Sequence, residues 1–265
     1  MKLKGKRVLI TGASSGIGKA LALAFAASGA KLVLASRKVE SLERVAKKVK
    51  NKFPRFMKPL VVPCDVSSAR EVQNLVAACI SSLDGIDILV NNAGICVYGA
   101  AARTELDDYQ KIMRVNYFGT LNCMLAAIPQ MQRIANTLIV NITSVAAIHG
   151  VPYLAAYCAS KSAIVALSQS LRAELAPGGP RIMLVYPGYT ETDIFVNEKR
   201  VGGAKRPEGP YATASEVATA IIRAIKKEKL DLIFTAEGKA LSLLQGFSPW
   251  LVRKAMEKIA FDLKE

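Results

Sequence analysis

Apolar and polar positions follow each other along the chain in two rhythms. Short runs rich in Val, Ile and Leu occupy residues 7–11, 31–36, 59–62, 86–91, 137–142, 182–186 and 230–234. Each has the length of a strand buried on both faces, where neither side needs a polar residue. Between them lie longer stretches at helical spacing, near 16–28, 39–52, 69–83, 105–133, 157–176 and 215–229. This alternation predicts an α/β fold of βαβ units: a parallel sheet of about seven strands, helices on both faces, and right-handed crossovers. Helix-start signals stand at 65–69 and 213–216, and Pro177-Gly178-Gly179-Pro180 stops a long helix before the next strand. The least regular stretch, 192–210, holds Gly202, Gly203, Pro207, Gly209 and Pro210. A loop of that kind beside strand ends is a candidate lid, with a plain surface excursion as the alternative.

Composition narrows the class. At 265 residues, 51% apolar and 6% aromatic, the chain buries a full core, read as one domain over 1–237 with a helical extension at 238–265. No uninterrupted apolar run reaches the ~18 residues of a spanning helix. The basic start (Lys2, Lys4, Lys6, Arg7) resembles a signal peptide only superficially, because glycines at 12, 16 and 18 cut the apolar run too early. A cytoplasmic protein is expected. Five cysteines (Cys64, Cys79, Cys96, Cys123, Cys158) form no CxxC pair, and His149 is the only histidine. Reduced thiols, no metal site and no histidine triad follow.

The net charge of +15 is unevenly spread, since residues 1–58 carry 15 Lys and Arg against Glu40 and Glu43, a local +13. A solvated helix face, a field that draws in an anionic cofactor, and a surface for acidic lipid or an acidic carrier protein compete as its use. No aromatic interleaving or DNA-binding motif accompanies it, so no nucleic-acid partner is expected.

Candidate chemistry begins at Gly12, Ser14, Ser15, Gly16, Ile17 and Gly18, where the first strand turns into the first helix. Glycines there let the backbone approach a pyrophosphate, whose charge is met by helix N-terminal N–H groups. The spacing is GxxxGxG rather than GxGxxG, so its position, more than its pattern, supports a dinucleotide site. An NAD site places a carboxylate near the end of the second strand to hold the 2′-hydroxyl. Here that place holds Ser36 and Arg37. A guanidinium grips a 2′-phosphate in a fork of donors, so NADP(H) is expected over NAD(H).

Tyr157 and Lys161 open a helical segment four residues apart, which puts phenol and ammonium on one face. A free tyrosine, with a pKa of about 10, exchanges protons poorly at neutral pH. A cation about 4 Å away contributes roughly 4 kcal/mol at an effective dielectric near 20, worth up to about 3 pKa units before desolvation opposes it.

These motifs, with Asn91-Asn92-Ala93-Gly94 after the fourth strand, Asn116 in the next helix, Ser144 thirteen residues before Tyr157, and Pro187-Gly188 ending the sixth strand, resemble the short-chain dehydrogenase/reductase family over nearly the whole chain. The resemblance implies a Rossmann-type doubly wound domain and an oxidoreductase. By that likeness Tyr157 would exchange the proton, Lys161 would hold the nicotinamide ribose and lower the tyrosine pKa, and Ser144 would bond the carbonyl oxygen. Asn116 would hold a water that relays protons to Lys161. Asn92, Ala93 and Gly94 would line the ribose side, Asp65 and Val66 would meet the adenine, Thr192 would meet the carboxamide, and Pro187, Gly188 and Thr190 would also contact the cofactor. Asp65 reads equally as a helix N-cap. Thr143 stands where a second serine is common. The chain also continues 31 residues past 234, unlike the glycine-rich ending of bacterial 3-oxoacyl carrier-protein reductases.

Substrate selectors are expected at Cys96, Tyr98, Val145, Val151, Tyr153 and Tyr189, a mostly apolar set that suits a hydrophobic ketone, aldehyde or secondary alcohol. A 3-oxoacyl thioester is the alternative substrate, and a dinucleotide sensor is the alternative from outside enzymology. A homodimer or homotetramer is expected. In the extension, Val252, Met256, Ile259 and Leu263 form a stripe at helical spacing, read as packing on the body or, more sharply, as a basic, tryptophan-bearing peripheral membrane contact within 238–265.

Overall fold

The computed structural model describes residues 1–176, 178–191, 199–203, 205 and 211–264. A seven-stranded sheet in the order β11-β7-β6-β4-β1-β2-β3 forms its centre. The strands are β1 (Arg7–Thr11), β2 (Lys31–Ser36), β3 (Leu60–Pro63), β4 (Ile88–Asn91), β6 (Leu138–Ile142), β7 (Arg181–Tyr186) and β11 (Asp231–Ile233), each close to its expected place. Every pairing between them is parallel. Because side chains alternate across a strand, odd and even positions feed two separate cores. Val8, Ile10, Leu34, Val90 and Val140 meet α1 (Gly16–Ala27), α2 (Val39–Lys52) and the helix Ala214–Lys226 on one face. Leu9, Val33, Leu89 and Ile139 meet α3 (Ala69–Leu83) and α5 (Gly119–Met131) on the other. The strand order reverses between β1 and β4, which opens a crevice at their carboxyl ends, where open α/β sheets bind ligands.

Several expectations need correction. The stretch 105–133 is not one helix: α4 (Leu106–Ile112) and α5 are joined by a π-helical segment, Met113–Phe118. Four short strands escaped notice because two or three residues carry no periodicity: β5 (Val97–Gly99) pairs with β9 (Lys199–Val201), and β8 (Thr190–Glu191) with β10 (Ala212–Thr213). Asp65 is not the N-cap of α3; Ser68 is, accepting from Glu71 N, while Asp65 Oδ1 takes the N–H and hydroxyl of Ser67. Lys6 and Arg7, counted in the basic surplus, both pair with the buried Asp87.

The C-terminal helices Ala236–Phe247 and Pro249–Asp262 pack on each other. The stripe read from the sequence faces inward, with Val252 and Leu263 buried and Met256 and Ile259 half-buried. Among the described residues no helix is long and apolar enough to cross a membrane.

Candidate active site and cofactor cleft

One cleft runs across the carboxyl edge of the sheet. Gly12, Ser14, Ser15, Gly16 and Ile17 line it at the start of α1, Ser36 and Arg37 at the end of β2, and Asp65 and Val66 after β3. Asn92, Ala93, Gly94 and Cys96 follow β4, and Ser144, Tyr157, Lys161, Pro187, Gly188 and Thr190 form the far end. Thr143, at the place of a common second serine, also lines it, as do Lys38, Cys64, Ile95, Val115 and Ile142, which sequence reading did not assign to the site. Thr192 lies outside the described residues.

The glycine turn is built by close approach. Gly12 has φ +63°, and a Cβ on Gly18 would sit 2.3 Å from the Gly12 carbonyl oxygen and 2.5 Å from Asn92 Nδ2. Gly18 therefore seats α1 against the turn and does not line the cleft. Thr11, also missed by sequence reading, ties the turn to β4: its hydroxyl oxygen accepts from the N–H groups of Asn92 and Ala93. Asn92 Nδ2 in return donates to the carbonyls of Thr11 and Gly12. The N-terminus of α1 has no side-chain cap and no acid in its first turn. Its free N–H groups and dipole thus face the cleft, as a pyrophosphate requires. At the adenosine end Arg37 is more than half exposed and lies 3.8 Å from Asp65, so the guanidinium already has an acidic neighbour.

At the other end, Tyr157 and Lys161 lie one turn apart on α6 (Ala155–Glu174), both buried. Lys161 Nζ is 5.6 Å from the Tyr157 ring centroid and donates to the carbonyl of Ile142 at 2.9 Å. Burial pushes the phenol well above its ordinary range, and neighbouring Cys96 adds to this, while a hydrogen bond from Ser144 opposes it. Lys161 is not among the groups that shift the phenol, and burial pulls its own pKa down to about 8.

Asn116 sits in the π-helical segment, a feature that often re-aims a side chain at a site. Its side chain clamps the main chain of Ile95, accepting from its N–H (2.8 Å) and donating to its carbonyl (3.0 Å), and donates to Ser160 Oγ (2.9 Å). Its own carbonyl takes the Thr120 hydroxyl at 2.7 Å, which leaves the second lone pair of that oxygen for another donor. A Cβ on Gly94 would lie 3.3 Å from Asn116 Oδ1 and 3.5 Å from Lys161 Nζ, which shows how tightly these groups converge.

Of the expected substrate residues, Cys96 lines the cleft. Tyr98, Val151 and Tyr153 instead back it, in an apolar cluster with Leu154, Tyr157 and Cys158. Tyr153 adopts φ +64°, uncommon for a bulky residue. It is held by its carbonyl, which accepts from Gly99 N, and by its hydroxyl, which donates to the Ala260 carbonyl at 3.0 Å. Tyr189 stacks against Tyr211, with centroids 5.5 Å apart, and Val145 packs against Gly238.

A cleft at a sheet switch point, ending in Ser144 beside the buried Tyr157 and Lys161, defines a dinucleotide-dependent oxidoreductase. Residues 6–201 match the short chain dehydrogenase family. A dehydrogenase/reductase SDR family protein 7-like of Anopheles gambiae is 37% identical, over 97% of this chain and 85% of that protein. A short-chain dehydrogenase/reductase from Burkholderia phymatum in complex with NAD superposes with a TM-score of 0.84 at 27% identity, covering 95% of this chain and 96% of that one. A Burkholderia cenocepacia short-chain dehydrogenase in complex with NADP gives 0.83 at 25%, covering 97% and 99%. The chain belongs to the short-chain dehydrogenase/reductase family, whose members are oxidoreductases acting on CH–OH and C=O groups with a nicotinamide dinucleotide.

Proposed function

We propose that the protein uses NADP(H) to interconvert an apolar ketone or aldehyde with its alcohol, with Tyr157, Lys161, Ser144 and Asn116 as the working set. The supporting observation is the continuity of one cleft, from the uncapped N-terminus of α1, past Arg37 at the end of β2, to the buried Tyr157. Gly12 through Ile17 would hold the pyrophosphate, Ser36 and Arg37 the 2′-phosphate, and Asn92 to Gly94 with Lys161 the nicotinamide ribose. The dinucleotide supplies or accepts the hydride. Tyr157 gives the substrate oxygen its proton during reduction, and Ser144 donates a hydrogen bond to the same oxygen. The raised pKa of the phenol keeps its proton in place over a wide pH range, as the proton donor of the reductive direction requires. Asn116 fixes the Gly94–Ile95 turn against Lys161 and acts as a positioning residue. Apolar Cys96 and the tyrosine cluster behind it suit a hydrophobic carbonyl.

NADPH oxidation is to be followed with steroid, long-chain 3-keto, retinoid and acyl-thioester carbonyls. Turnover of an apolar carbonyl, reduced ~10²–10⁴-fold in Tyr157→Phe with NADPH binding retained, is the expected result. Absence of turnover with any carbonyl, or an unchanged NADPH-to-NADH preference in Arg37→Asp, would overturn the corresponding half of the proposal.

A further inference from the structure

The C-terminal helix pair turns its apolar stripe inward, yet a second apolar set faces out. Leu243, Phe247, Trp250 and Phe261 are 62%, 88%, 56% and 79% exposed, and Leu244 and Leu251 stand beside them. In the helix Ala236–Phe247 only Gly238 is buried, so this element has little hold on the body. Five of the six exposed residues fall within 243–251, which puts them at the corner between the two helices. Trp250, Lys254 and Phe261 share the outward face of the second helix at spacings of four and seven. Isolated exposed apolar residues are ordinary; five large ones at one corner are not.

We propose that this corner is a docking surface for a lipid bilayer carrying anionic headgroups, into which Phe247 and Trp250 insert. A second copy of the chain fits less well. Lys254 shares this outward face and its ammonium pairs with Glu257 at 2.8 Å, whereas the cores of protein interfaces are depleted in lysine. At a membrane surface the lysine stem lies along the apolar layer while its charge reaches the headgroups. Among residues 236–264, Lys239, Arg253, Lys254, Lys258 and Lys264 outnumber Glu237, Glu257 and Asp262. That balance favours an acidic surface. Gly238 abuts Val145 and Ala260 receives the Tyr153 hydroxyl, so the two helices rest on the substrate end and connect it to the corner. Docking there would present the cleft to substrates dissolved in lipid, a consequence that rests on the proposed carbonyl chemistry; the docking itself does not.

Trp250 is the only tryptophan, so its emission reports this corner alone. The full chain is to be mixed with phosphatidylcholine–phosphatidylserine vesicles, and followed by emission and by flotation. A blue shift with co-flotation, with the apparent affinity weakened about tenfold or more in Phe247→Asp while NADPH binding stays unchanged, is the expected result. Leu243→Asp is the second variant, also at an exposed position. Unshifted emission with no flotation overturns the proposal. So does a stable wild-type dimer that becomes monomeric in Phe247→Asp, because the corner would then be an interface between copies. Both readouts need no turnover, so a failure of the carbonyl reading leaves this test intact.

Discussion

Lys161 offers a prediction in which function and stability oppose each other. Its amine is buried and its pKa falls from an ordinary 10.5 to about 8, because burial disfavours the charged form. Folding therefore costs the ammonium about 3 kcal/mol at neutral pH, at about 1.4 kcal/mol per pKa unit. The sign follows from proton counting: between pH 8 and 10.5 the unfolded chain binds the extra proton, so this group's contribution to stability rises with pH. Lys161→Met removes that burden but leaves the Ile142 carbonyl without its donor, a loss of about 1–2 kcal/mol. The variant is expected to be about 1–2 kcal/mol more stable than the parent at pH 7 while losing turnover. That advantage should disappear, and reverse, above about pH 10. Urea unfolding of both proteins at neutral and alkaline pH, with pH-induced changes elsewhere cancelling in the difference, measures this directly. A variant less stable at pH 7, or a difference that does not change with pH, would refute the reasoning.

Three further outcomes are expected. Gly18→Ala forces a Cβ into the Gly12 carbonyl and Asn92, and should cost about 3 kcal/mol in denaturant unfolding and weaken dinucleotide binding, measured by NADPH fluorescence. Asn116→Ala leaves both polar groups of Ile95 without their side-chain partners; a loss of about 2–4 kcal/mol is expected, with kcat falling more than NADPH affinity. Tyr153→Phe loses only the bond to Ala260, about 1 kcal/mol, and should raise KM for bulky ketones several-fold while leaving butanone kinetics unchanged.

The sheet was legible because each long apolar run had to be buried on both faces, and runs such as 31–36 and 182–186 leave little room for another reading. The cleft was legible for a different reason: topology brings strand ends together, so residues just after β1, β2, β4 and β6 meet whatever their separation in sequence. What stayed hidden depends on contact. Thr11 reads as the last residue of a strand, and only the folded chain shows its hydroxyl receiving two N–H groups of the Asn92 turn. The π-helical turn at 113–118 leaves no periodic trace, yet it aims the Asn116 side chain at Ile95. The balance of burial against charge at Tyr157 also depends on packing density, which spacing along a helix does not encode.

All five cysteines are buried, with no disulfide among them. Burial pushes the Cys64 thiol up to about 11 and Cys79 to about 12, with nearby charges assisting at Cys64, and raises Cys123 and Cys158 as well. A thiol held that far from its thiolate reacts slowly with oxidants and alkylating reagents while the fold stays closed. The chain thus carries a set of internal clocks: labelling at Cys79 and Cys123 times excursions of the core between α3 and α5, and labelling at Cys158 times loosening beside Tyr157.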